Sequence, residues 1–92
     1  MTKVTFTYDP EADAVYIRLS RKAWAYTQGV DDQRHVDYAE DGTPIGIELL
    51  YVSDGVLADG LPQRELVSRV IQATECLKRA GTSGYTRVTV TA

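Results

Sequence analysis

Hydrophobic and polar residues alternate along most of the first half of this chain. Val4, Phe6 and Tyr8 share one parity and Lys3, Thr5 and Thr7 the other, which is the period of a strand with one buried face. Asp9-Pro10-Glu11-Ala12-Asp13 reads as a turn, where proline presets φ and aspartate can bond the nearby backbone. Alternation resumes over 14–20, with Val15, Ile17 and Leu19 on one side and Tyr16, Arg18 and Ser20 on the other, so the two segments predict a hairpin. Residues 21–33 are less regular. Trp24 and Tyr26 share a parity and support a short strand near 23–28, ended by Gly29, Asp31 and Asp32. Two further strands follow, 34–39 with Val36 and Tyr38 inward and 44–52 with Ile45, Ile47, Leu49 and Tyr51 inward.

Asp41-Gly42 between the last two strands is a strong hairpin signal, because a type I′ turn needs positive φ at both central positions. A two-residue loop there sets Glu40 opposite Thr43, Tyr38 opposite Ile45, Val36 opposite Ile47 and His35 opposite Glu48. Cross-strand partners share a face, so His35, Asp37 and Glu48 collect on the polar side, with Gly46 beside Asp37. A one-residue slip would exchange the faces, and a loop of three or four residues is the main rival.

The second half changes period. Ser53 to Gly60 is a connector, and Pro62 suits the first turn of a helix over 62–80. Leu66, Val70, Ala73, Thr74 and Leu77 form its apolar stripe, flanked by Val67, while Arg64, Ser68, Arg69, Gln72, Glu75 and Arg79 take the opposite side. Gly81 supplies a left-handed C-cap. Tyr85 to Ala92 alternates again, with Val88 and Val90 on one face. An unpaired edge strand of this kind is a liability, so it is expected either to join its own sheet or to cross to a second subunit. The predicted class is α+β, an antiparallel meander of four to five strands packed against one amphipathic helix, plus a C-terminal strand. One domain spans 1–92, divided into a meander over 1–57, the helix within 61–81 and the last strand over 84–92.

Ninety-two residues with 43% hydrophobic and 25% charged content suit a single globular core and exclude a disordered tail. A net charge of −3 gives no default reason to expect nucleic acid or a membrane as partner. The alternating N-terminus is unlike the apolar core of a signal peptide, and no apolar run approaches the ~20 residues of a membrane span. With Cys76 the single cysteine, an internal disulfide is excluded and a cytoplasmic location is expected. Charge is distributed unevenly. Residues 1–60 carry five basic against eleven acidic groups, and residues 61–92 carry five against two. Such halves can attract each other between subunits.

His35, Asp37 and Glu48, with Arg18 and Tyr16 on the same sheet face, are the one cluster resembling an active site. A histidine held by carboxylates can act as a general base. A polar face on a one-sided antiparallel sheet needs no catalytic explanation, however. A zinc site would need carboxylates for most of its ligands, which is unusual. Asp9, Glu11 and Asp13 lack the length, glycine and closing glutamate of a calcium loop. The rings of Phe6, Tyr8, Trp24, Tyr26, Tyr38 and Tyr51 are read as core, not as a base-stacking platform. No cofactor is expected, because the chain carries no phosphate loop and no metal-ligand spacing.

Tyr8-Asp9-Pro10-Glu11-Ala12-Asp13-Ala14-Val15-Tyr16-Ile17-Arg18-Leu19 resembles the opening signature of a small bacterial family, domain of unknown function 2283, and so does the later run Val36 to Leu50. The resemblance covers about residues 4–52. It implies a small meander-type sheet in a bacterial cytoplasm and brings no established activity. It also implies an antitoxin or adaptor role, since members are similar to proteins encoded beside small toxins. A toxin-like protein partner would meet the helix through Arg64, Arg69 and Arg79, or the last strand through Val88 and Val90. The small core favours a homodimer, which adds burial the single chain lacks. The competing expectation is a small enzyme or ligand-binding protein using His35, Asp37 and Glu48.

Overall fold

Six antiparallel strands share one sheet, and a single α-helix covers one of its faces in the computed structural model, which describes residues 3–91. The strands are β1 (Lys3–Asp9), β2 (Ala14–Arg18), β3 (Tyr26–Gly29), β4 (Arg34–Tyr38), β5 (Pro44–Leu50) and β6 (Thr86–Thr91), and α1 runs over Arg64–Arg79. Met1, Thr2 and Ala92 of the expected boundaries lie outside the described residues.

The order across the sheet is β3-β4-β5-β2-β1-β6. The expected α+β class holds, with two details the alternation alone does not specify. The β1–β2 hairpin meets the β3-β4-β5 meander through β2 and β5, so β2 and β3 are consecutive in the chain but not neighbours in the sheet. The last strand pairs with β1 of the same chain, from Lys3↔Thr91 to Tyr8↔Thr86.

The apolar parity builds the core. Val4, Phe6, Tyr8, Val15, Ile17, Val36, Ile47 and Leu49 point toward α1 and meet Leu66, Val67 and Val70 from the helix, with Ala73, Leu77, Val88 and Val90 packed around them. Buried Thr74 satisfies its hydroxyl within the helix by donating to the Val70 carbonyl at 2.8 Å, as a polar group removed from water must.

The helix begins later than expected. Pro62 stands outside it, and the N-cap is Gln63 in the left-handed region at φ 57°, with no side-chain cap. Its end matches the expectation. Gly81 adopts φ 79°, its N–H bonds the Lys78 carbonyl, and the Thr82 N–H bonds the Leu77 carbonyl, the pair of bonds that closes a glycine-terminated helix.

The β4–β5 connection corrects the expected turn while keeping most of its register. Gly42 alone takes positive φ, at 84°. Its N–H bonds the Ala39 carbonyl, and the Ala39 N–H bonds the Thr43 carbonyl. The loop therefore has three residues, a type I turn followed by a left-handed glycine. Tyr38 stands opposite Pro44, not Ile45, and a bulge between Asp37 and Tyr38 restores Asp37↔Gly46, Val36↔Ile47 and His35↔Glu48. The extra residue on β5 is Ile45, whose carbonyl instead accepts the N–H groups of Leu19 and Ser20. Loop length and bulge each shift the pairing by one residue, and the shifts cancel.

Candidate functional site

Because α1 occupies the apolar face, the opposite face of the sheet is left open, and the polar parity of every strand arrives there. Pairing lays the residues out in rows. One row runs Arg87, Thr7, Tyr16, Glu48, His35 and Gly29 from β6 to β3, and the next runs Thr89, Thr5, Arg18, Gly46, Asp37 and Thr27.

Asp37 is the centre of the best-defined cluster. It accepts the Tyr16 hydroxyl at 2.8 Å and the Thr27 hydroxyl at 2.5 Å, and Thr27 in turn accepts the Trp24 indole N–H at 2.9 Å. Gly46 makes this possible: a Cβ at that position would overlap the Tyr16 hydroxyl. Burial, with the Asp37 hydrogen bond next in weight, pushes the Tyr16 phenol up to about 12. The Arg18 guanidinium lies 5.8 Å from the centre of the Tyr16 ring, within range of a cation–π contact.

His35, Asp37 and Glu48 do share this face, as the period-two reading expects. His35 Nδ1 lies 3.7 Å from Glu48 Oε1, too far for a hydrogen bond, and is buried without a hydrogen-bond partner. Asp37 gives its acceptors to Tyr16 and Thr27, so the carboxylate fastens strands together more than it serves His35. Thr27 is missing from the sequence reading and Trp24 is read there as core, because the irregular stretch 21–33 does not show which face its residues take. Arg87 and Tyr85 were within reach of it, since the parity that sends Val88 and Val90 inward sends Arg87 outward.

Other candidates fall elsewhere. Arg64, Arg69 and Arg79 lie exposed on α1, with Arg64 4.0 Å from Asp59 and Arg79 3.9 Å from Glu75. Val88 and Val90 pack against the chain's own core. The rings divide: Phe6 and Tyr8 are core, Tyr38 is half-buried and stacks on Tyr26 at 5.1 Å, but Trp24 at 63%, Tyr26 at 46% and Tyr51 at 56% are exposed. Tyr51 ends up outside because β5 stops at Leu50 and the chain turns left-handed at Tyr51, φ 52°, to enter a short 3-10 turn. Trp24 lies beyond the start of β3, where no helix covers it.

Asp9 accepts the backbone N–H groups of Glu11 and Ala12 through one oxygen, and Asp13 accepts the Ser53 N–H and hydroxyl through its two. Their carboxylates thus organise turns. Among the described residues no group of three or more His, Cys, Asp or Glu side chains is placed to hold a metal ion, and Cys76 is free and exposed. Among the same residues no helix is long and apolar enough to cross a membrane.

An α+β sheet of this pattern, with one helix on one face and an open polar surface on the other, agrees with the family reading. Residues 5–53, more than half the chain, match the family described as Protein of unknown function (DUF2283), and the chain belongs to that family. No curated protein and no solved structure matches the chain.

Proposed function

We propose that this chain is a non-enzymatic, cytoplasmic interaction module that associates with itself and serves as an antitoxin-like or adaptor protein for a small protein partner. One observation carries the reading: α1 covers one face of a six-stranded sheet, while the bare face holds large exposed rings at both ends, Trp24 near β3 and Tyr85 before β6. Tryptophan, tyrosine and arginine are the side chains that interfaces favour. Sedimentation equilibrium at micromolar concentration tests self-association, with twice the chain mass expected and a monomer throughout as the result against it. A native pull-down tests the adaptor role. One stoichiometric small basic protein is expected, and recovery of the chain alone counts against it.

A second reading rests on His35. Among the described residues its Nδ1, beside Glu48, is the buried side-chain nitrogen or oxygen left without a hydrogen-bond partner, and a ligand that drew the ring toward the surface would satisfy it. It makes the chain a ligand-binding protein or small enzyme. A ligand screen on wild type and His35→Ala tests it, and binding that survives the substitution removes it.

A further inference from the structure

The open face is divided by charge. Strands β6, β1 and β2 contribute Arg87, Lys3 and Arg18, set among Thr5, Thr7, Tyr16 and Thr89, while β5 and β4 contribute Glu48 and Asp37. None of the three cations forms an ion pair with a described residue. A furrow lined by Thr5, Thr7, Tyr16, Arg18, Tyr85 and Arg87 crosses the basic half. A single-stranded polyanion would suit that furrow but would meet Asp37 and Glu48 immediately beyond it, on a chain of net charge −3. The surface that answers both halves at once is the same surface turned over.

We infer that two copies join through this open face, packed sheet to sheet about a twofold axis parallel to the strands. This rests on the self-association proposed above and names its surface. Such an axis reverses the strand order, so β6 of one copy lies over β3 of the other, β1 over β4 and β2 over β5. Sheets pack ~10 Å apart, within reach of an arginine, and Arg18 then faces the strands that carry the partner copy's Glu48 and Asp37. Tyr85 of each copy then lies over the partner copy's β3 edge, at the strand end opposite to the one near Trp24. An in-plane axis perpendicular to the strands would instead stack basic on basic, so the charge pattern selects one of the two symmetric arrangements.

Sedimentation of charge-reversed variants tests this. Arg18→Glu and Glu48→Arg should each weaken the homodimer about tenfold or more. An equimolar mixture of the two should recover near wild-type association, because both contacts of the mixed dimer are then opposite in sign. Arg87→Glu serves as the alternative if Arg18→Glu loses its circular dichroism spectrum. A monomeric wild type overturns the self-association itself, and the inference with it. A wild-type dimer indifferent to Arg18→Glu, Arg87→Glu and Glu48→Arg overturns only the assignment of this face. Weakened variants whose mixture fails to recover overturn the twofold arrangement.

Discussion

Tyr16 reaches over Gly46 to place its hydroxyl 2.8 Å from the Asp37 carboxylate, so a β2 side chain is fastened to β4 across the intervening β5. The absence of a side chain at residue 46 is the condition for that bond. Gly46→Ala forces the phenol aside and should cost roughly 1–3 kcal/mol, as overpacking typically does. Urea denaturation measures it. The cost should shrink to well under ~1 kcal/mol in a Tyr16→Ala background, because contacting residues are not additive. Equal costs in both backgrounds would mean that Gly46 serves backbone conformation and not the Tyr16 approach.

The same bond sets the alkaline behaviour. The Tyr16 phenol is pushed up to about 12 from 10.0, by burial first and the Asp37 bond second, and burial also raises that of Tyr8. A group whose folded pKa is raised holds its proton longer in the native state, so its stabilisation is complete below pH 10 and declines as pH rises through the folded value. Stability should therefore fall between about pH 10 and 12. Denaturation at a series of pH values should show a shallower fall for Tyr16→Phe than for wild type, and ultraviolet titration should show Tyr16 among the last phenols to ionise. Identical slopes would remove Tyr16 as the cause.

Much of this face was legible from period two alone. Once Tyr16 and Arg18 oppose the apolar set Val15, Ile17 and Leu19, they must share the polar face with Glu48, although parity does not say that β2 and β5 are neighbours. The His35↔Glu48 register was also legible, though through a two-residue turn that does not form. Sequence alternation is insensitive to a one-residue loop extension cancelled by a one-residue bulge at Ile45. Trp24 and Tyr51 were misplaced inward for a common reason: parity orients a side chain only while the strand continues, and both lie just past a strand end. The bond from Thr27 to Asp37 could not be read at all, since it depends on which strand lies next to β4.

Asp13 stands at φ 55° and holds Ser53 with both carboxylate oxygens, at 3.0 Å to the N–H and 2.5 Å to the hydroxyl. The left-handed region costs a residue with a Cβ about 1–2 kcal/mol, and aspartate and asparagine tolerate it best. Asp13→Ala loses that tolerance along with both bonds and should destabilise by roughly 2–3 kcal/mol. Asp13→Asn keeps an acceptor and the backbone preference and should lose about 1 kcal/mol. Urea midpoints in the order wild type, Asn, Ala check this. Because one Asp9 oxygen and both Asp13 oxygens are engaged with backbone and Ser53, added calcium or a chelator should leave the wild-type midpoint unchanged. A calcium-dependent rise would show that the turn binds the ion.

Arg34 joins the start of β4 to the connector that leads into α1. Its Nη1 donates to the carbonyls of Leu57 and Asp59 at 3.1 and 2.5 Å, while Nε and Nη2 grip Asp31 at 2.9 and 2.8 Å. Only a planar fork meets three oxygens in these directions, so lysine is not an equivalent. Arg34→Lys should loosen residues 51–60 without unfolding the sheet. Amide exchange there should quicken by about tenfold, the equivalent of one lost charge-assisted bond, while exchange in β1 and β2 stays slow. The hydrogen bond from Arg34 also lowers the Asp31 carboxyl below the ordinary aspartate value of 3.8. A depressed folded pKa contributes stability that is present above the unfolded value and lost as pH falls through the folded one. Wild type should therefore lose part of its stability below about pH 4, and Arg34→Lys should lose less over that range. Uniformly faster exchange along the whole chain would instead make Arg34 a determinant of global stability, not the clamp of the connector.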